Sequence, residues 1–223
     1  VLFRSTTNGP VSVCSGVNFN LTLSEDYTSL FGITYQWQSS PDGITFSNIS
    51  GATNATYSTS QTATTYYQCI ITCGPSGQST ISVPVLVNTY SACLSMPVSG
   101  SLATCDAKFY DSGGPAGNYG NNENRTFTFF PGTPGGVVVA TFVSFATEAG
   151  WDYLRIYNGN STAAPALHTG SGFNGASINP TVFTSTAADG SLTFQFTSDG
   201  SGTPAGWDAT ISCILPPTDP SAP

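Results

Sequence analysis

Two carboxylates, Glu148 and Asp152, lie within five residues of each other in TEAGWDYLRIYNG, although charged residues make up only 7% of this 223-residue chain. A short turn separates them, and Asp152 opens the apolar run DYLRIY. A third acid, Asp199, follows LTFQFTS, where another strand should end. If these strand ends share one edge, three negative groups converge. Crowded like charges repel, so such a group either takes up a proton or holds a cation. The nearest base along the chain, Arg155, should point away along its strand. Oxygen donors suit a hard cation, and calcium accepts the irregular geometry of loops where magnesium demands an octahedron. Two other readings use the same acids. They can be solvated loop ends that accept backbone N–H groups. Glu148 and Asp152 can also be the acid pair of a glycoside hydrolase, although small sandwiches imply no large cleft.

The elements that must position these acids are strands. Helical periodicity is nearly absent, and short alternating apolar runs recur between turn signals. The pattern predicts an all-β chain of two β-sandwich domains in tandem. VNFNLTL (17–23) puts Val17, Phe19, Leu21 and Leu23 on one face. ITYQWQ, the turn SSPDG, ITFSNI, ATYSTS, TYYQCIIT and the turn GPSG follow. STISVPVLVN (79–88) closes the set, and Pro84 should put that strand at an edge or on a bulge, because it cannot donate to a ladder. In the second half Phe127 and Phe129, Leu154 and Ile156, and Leu192, Phe194 and Phe196 alternate in the same way. The expected boundaries are a sandwich over 1–88, a linker over 89–102 without strand pattern, a second sandwich over 103–215 and a tail over 216–223.

Residues 8–88 resemble an immunoglobulin-type sandwich. The matches are GVNFNLTL, Trp37 in YQWQ, and Tyr67 two residues before Cys69 in YYQC. The resemblance implies a buried Trp37 and a corner Tyr67 whose hydroxyl bonds back to the backbone. Leu23 stands where that family has its strand-B cysteine, so the usual inter-sheet disulfide is missing. The wording YQWQSSPDG…ISGAT…ATYSTSQTATTYYQC is similar to repeats of secreted and surface proteins of bacteria.

Residues 103–215 resemble a CUB domain, a two-sheet jelly-roll sandwich. The matches are NYGNN before an aromatic strand, the acid and aromatic–Asp–Tyr–Leu run leading to IYNG, and LTFQFTSDGS followed by GW. The usual internal cysteine pairs are absent, and the turn from Glu148 to Asp152 is short. In calcium-binding members of that family the matching acids hold Ca²⁺. The resemblance therefore implies Glu148, Asp152 and Asp199 as metal ligands, with the backbone carbonyl of Ser201 as a further one. It also implies that a partner's lysine or arginine can approach the metal-held carboxylates. Cys105 and Cys213 bracket this domain and are expected to be joined.

The cysteines at 14, 69, 73, 93, 105 and 213 include no Cys-x-x-Cys, and the single His168 stands apart from them. Zinc sites need tighter sets. An even, dispersed count reads as disulfides and an oxidising compartment, with reduced buried thiols as the alternative. Cys14, Cys69, Cys73 and Cys93 allow three pairings. Four Lys/Arg against twelve Asp/Glu give a net charge of −8. That balance offers no basic stripe for nucleic acid or anionic membranes. No apolar run is long enough for a spanning helix. The chain begins at Val1 with VLFRSTTNG, which has no signal-peptide core, so an export signal is expected to have been removed.

The surface must then be built from Ser, Thr, Asn, Gln and Gly, which suits an exported, adhesive or assembling protein. No Gly-x-Ser-x-Gly, His-Glu-x-x-His or phosphate loop occurs, so catalysis is not expected. Trp151 and Trp207 each precede an Asp and form either a sugar-stacking platform or rim packing. Asn20, Asn48, Asn54, Asn124 and Asn160 lie in Asn-x-Ser/Thr, a match that chance supplies readily here. His168 lacks a nucleophile partner and is expected on an exposed strand. The favoured reading is a non-enzymatic extracellular structural or adhesive protein, a self-associating subunit of a surface fibre or layer. Its termini would add as strands to a neighbour, and Arg4 would reach a neighbour's acidic edge. The alternative is a protein- or carbohydrate-binding accessory module of a larger secreted protein or hydrolase.

Overall fold

The computed structural model describes residues 5–215. The tail 216–223 and the anticipated contact of Arg4 lie outside them. The chain divides into two compact units, Val1–Tyr90 and Ser91–Pro223. Both are all-β, as the alternating runs require.

Unit 1 contains β1 (Thr7–Asn8), β2 (Ser12–Val13), β3 (Phe19–Leu23), β4 (Ile33–Ser40), β5 (Ser47–Asn48), β6 (Tyr57–Thr59), β7 (Thr65–Cys73), β8 (Gln78–Ile81) and β9 (Val85–Thr89). One sheet runs β1-β3-β6 and the other β2-β9-β7-β4-β5, with β8 also on β7. The amino-terminal segment is thus paired inside its own unit, β1 with β3. Alternation places Leu21, Trp37, Cys69, Ile71 and Val87 in the core at 0% exposure. Val17 departs from the face assigned to it and is exposed.

Pro84 breaks its run into two strands instead of sitting within one. The chain leaves β7 after Ile81 and rejoins it at Val85, and β9 then lies between β2 and β7, away from the edge. The gap is bridged by Ser82 N–H to Cys69 C=O at 2.9 Å and Val83 N–H to Ser5 C=O at 3.0 Å.

Unit 2 contains β10 (Ala92–Ser95), β11 (Ser99–Ala103), β12 (Asp106–Tyr110), a 3₁₀ turn (Gly114–Ala116), β13 (Asn124–Phe130), β14 (Val137–Ala146), β15 (Tyr153–Tyr157), β16 (Val182–Thr184), β17 (Leu192–Thr197) and β18 (Gly206–Ile214). The sheets run β10-β12-β18-β14-β16 and β11-β13-β17-β15. Residues 89–102, expected to form a linker, instead carry β10 and β11, each pairing in parallel with a strand of this unit. β10 alternates over only four residues, with Ala92 and Leu94 inward, and β11 is small and largely exposed, so neither gives a run long enough to mark a strand.

The core between the sheets is aromatic. Phe109, Phe129, Phe194 and Phe196 are fully buried, and Trp207 joins them. Phe109 meets Phe129 edge-on at 5.0 Å, and Phe196 meets Trp207 at 5.1 Å. Each such side chain contributes about 1.5–3 kcal/mol on burial. A bulge between Phe142 and Ser144 in β14 keeps both Phe142 and Phe145 on the core side.

Cys105 and Cys213 are joined, closing a separation of 108 residues. Cys14 and Cys93 are also disulfide-bonded. Cys69 and Cys73 are free, so the expectation of disulfides throughout fails for these two. Cys69 lies in the core, and burial pushes its thiol up to about 11. His168 is not on a strand; it sits half-buried in a bend beside β15, where Nδ1 lies 3.3 Å from Ile156 N.

Candidate metal centre

The three acids converge because of how four strands end. β15 and β17 are antiparallel neighbours with Tyr153 opposite Thr197. Stepping out of each strand brings Asp152 and Asp199 together, and Asp199 N–H donates to Asp152 Oδ1 at 2.9 Å. β14 belongs to the other sheet and finishes with Ala146 opposite Gly206 of β18. Two residues later Glu148 reaches across the open end of the sandwich. One carboxylate oxygen from each of Glu148, Asp152 and Asp199 lies within 4.8 Å of the others.

The turn AGW is tight. Trp151 N–H and Asp152 N–H both point at Glu148 C=O, at 3.4 and 3.2 Å. Gly150 takes φ +83°, a conformation that a side chain would resist. Thr147, itself buried, donates its hydroxyl to Asp152 C=O at 3.1 Å.

Tyr119 is the residue that the sequence did not reveal. Its hydroxyl donates to Asp152 Oδ2 at 2.6 Å and accepts Glu148 N–H at 2.9 Å. Its ring is buried edge-on against Phe196 at 4.8 Å. The residue sits in NYGNN, one of the motifs that carry the CUB resemblance, but nothing in that motif assigns the hydroxyl to the acids. Asn122 N–H, from the same loop, holds Asp199 C=O at 2.6 Å. Ser201 takes part through its N–H, which donates to Asp199 Oδ1 at 2.9 Å. Gly202, at φ +70°, leaves room for Glu148; a Cβ there would lie 2.4 Å from the carboxyl carbon.

No base offsets these charges among the described ion pairs, which join Lys108 to Asp208 and Arg125 to Glu123. Arg155, expected to point away, instead leans toward the Tyr153 end of its strand, where it donates to Thr197 Oγ1 at 3.0 Å and lies over the Tyr153 ring, but no described ion pair joins it to the three acids. Asp152 is completely buried, and the other two acids are half-buried. Desolvation, then the charges of Asp199 and Asp152, push the Glu148 carboxyl above its ordinary value. Burial, then the hydrogen bond to Asp152, raises the Tyr119 phenol strongly. Glu148 Oε2 is shut off from solvent and has no hydrogen-bond partner. An orphaned buried oxygen is costly, and its carboxylate lies beside two others. This donor set of oxygens alone fits a hard cation.

A family model described as a domain of unknown function (DUF8696) matches residues 4–91, in the other unit. No curated protein matches the chain. Among solved structures it is similar to the CUB1-EGF-CUB2 domains of rat MASP-1, with 18% identity and a TM-score of 0.41. That similarity covers 52% of this chain and 42% of the other, so this chain spans less than half of its length.

The geometry also weighs on the competing chemistry. A glycosidase needs both carboxyl groups open to a sugar, whereas Asp152 has 0% exposure and both of its oxygens are engaged. A cavity of about 650 Å³ opens at the opposite ends of β14 and β18, lined by Pro131, Thr184, Asp189 and Ile214 among others, without the three acids. The two tryptophans part company. Trp207 is buried, while Trp151 stands 63% exposed on the turn between Glu148 and Asp152. They cannot form one platform.

Proposed function

We propose that this chain is a non-enzymatic extracellular module in which calcium, held by Glu148, Asp152 and Asp199, orders one end of the second sandwich for contact with partners. The observation that carries the reading is the convergence of the Glu148, Asp152 and Asp199 carboxylates with no base among them, together with a buried Glu148 Oε2 that has no hydrogen-bond partner. Ser201 is a further candidate ligand through its carbonyl. Bound calcium supplies positive charge that offsets the mutual repulsion, and so fixes the loops after β14 and β17. A partner that meets pre-ordered loops loses less ordering entropy on binding. Trp151, exposed beside the acids, gives the rim an apolar contact. The resemblance of 103–215 to calcium-binding CUB domains and the Cys105–Cys213 disulfide support the extracellular setting.

Within this reading the chain is a structural or adhesive subunit that self-associates. Its support is a surface sparse in charged side chains, 7% of the residues, which leaves wide uncharged areas for contact even though the net charge of −8 opposes association. The second reading is an accessory module that binds a protein or glycan, and the exposed Trp151 favours it. Light scattering on purified protein with calcium, followed by array binding, separates them. Growth of mass with concentration supports the subunit. A strict monomer that is retained on a protein or glycan array supports the module and excludes the subunit.

A further inference from the structure

We propose that the outer edge of β11 is a homotypic pairing site, to which the β11 of a second copy adds antiparallel, centred on Ser101. The inference rests on the self-association reading and names the surface that it uses.

The hydrogen-bond parity of β11 exposes that edge. Thr126 N–H reaches Val98 C=O at 3.0 Å, and Thr104 N–H reaches Phe130 C=O at 3.0 Å. Between these two bonds the ladder to β13 is parallel and in register. In a parallel ladder one residue parity faces the partner strand and the other faces away. Even-numbered residues therefore serve β13. Ser99, Ser101 and Ala103 turn their N–H and C=O groups outward, and among the described residues no strand meets them.

Native edges are normally protected by shortness, charge, proline, a bulge or a covering segment. Most edges here follow that rule, and the uncharged edges β8 and β10, of four residues each, are shorter than β11. β1, β2 and β5 have two residues each, and β6 and β16 have three. β15 is as long as β11 but is covered at Leu154 by Phe173 and at Tyr157 by Ala166. β11 has five residues, SGSLA, with no charge or proline among them and no cover. Ser99, Gly100, Ser101 and Ala103 are exposed.

The occupant that this edge fits is itself. An antiparallel two-fold through Ser101 sets Ser101 opposite Ser101, and Ser99 opposite Ala103. All three outward-facing residues of each copy then fall in hydrogen-bonded pairs, the arrangement that an isologous contact requires. Gly100 comes opposite Leu102. Gly100 has no side chain above Phe127, and a Cβ there would lie 3.1 Å from that ring. The half-buried Leu102 of the second copy then meets the bare Gly100 backbone, a cross-strand pairing of large on small. In a molecule of net charge −8, this edge brings no like charges together.

Sedimentation velocity of the full chain over a range of concentrations, beside Ser101→Pro and Ser101→Lys, tests the proposal. Proline removes an N–H that β13 does not use, and lysine sets like charges face to face, so both variants should keep the wild-type circular dichroism. The wild type should pass from the 23.0 kDa chain mass to at least twice that value. Each folded variant should dimerise about tenfold or more weakly, the loss expected when central strand bonds go. Wild type that stays monomeric overturns the edge and self-association together. Assembly undiminished in both variants overturns the edge alone and leaves self-association to another surface.

Discussion

Tyr119 joins two of the three acid-bearing segments through one oxygen, donating to Asp152 and accepting from the backbone of Glu148. Tyr119→Phe keeps the buried ring but leaves both groups short of a partner. The expected cost is about 1–3 kcal/mol, read as a lower denaturant midpoint with an unchanged slope. Asp42 makes a separate case at the same scale. Backbone N–H groups of Thr45 and Ile44, then the hydroxyl of Ser40, hold its carboxyl down to about 2. A depressed folded pKa gives stability that is complete above the unfolded value, 3.8, and is lost as pH falls toward 2. Asp42→Ala should flatten the acid limb of the melting curve in that window and leave its neutral limb parallel to wild type. The sequence shows the chemistry of single residues unevenly. Acids are scarce enough for Glu148, Asp152 and Asp199 to stand out. Gly-Trp-Asp occurs twice with opposite outcomes, Trp151 exposed and Trp207 buried, because tertiary position and not local wording decides. Tyr119 could not be assigned, since its role depends on a loop crossing toward strands far along the chain.

At the scale of elements, the site is a product of strand ends and the loops between them. The β17–β18 loop passes close to Glu148 only because Gly202 lacks a side chain and adopts φ +70°. Gly202→Ala should displace Glu148. Calcium affinity should then fall about tenfold or more, while melting without metal drops only modestly, by the cost of about 1 kcal/mol that alanine pays in this conformation. Calorimetry with calcium beside thermal melting in chelator distinguishes the two effects. Strong alternation made β3, β13, β15 and β17 readable in advance. β10 and β11 were not, because β10 alternates over only four residues and β11 is small and largely exposed. Pro84 was read as an edge or bulge marker, but the chain resolves the missing donor by leaving the ladder and returning to it.

For the whole molecule, the chain forms two all-β units, and the second, closed by a Cys105–Cys213 bond spanning 108 residues, carries the whole candidate site. Replacing both cysteines by serine should cost up to about 4.7 kcal/mol, the chain-entropy value for a loop of roughly this length, measured by chemical denaturation. Among the described residues no helix is long and apolar enough to cross a membrane. The proposed role of divalent metal as a structural component rests on the cluster of Glu148, Asp152 and Asp199 at one end of the second unit. Titration calorimetry of calcium into chelator-treated protein, wild type beside Asp152→Asn, tests that claim most directly. The account predicts one site per chain in the wild type, none in the variant, and about 2.7 kcal/mol of added stability when calcium exceeds its Kd a hundredfold. Absence of binding to the folded wild type, or equal binding by Asp152→Asn, would contradict it.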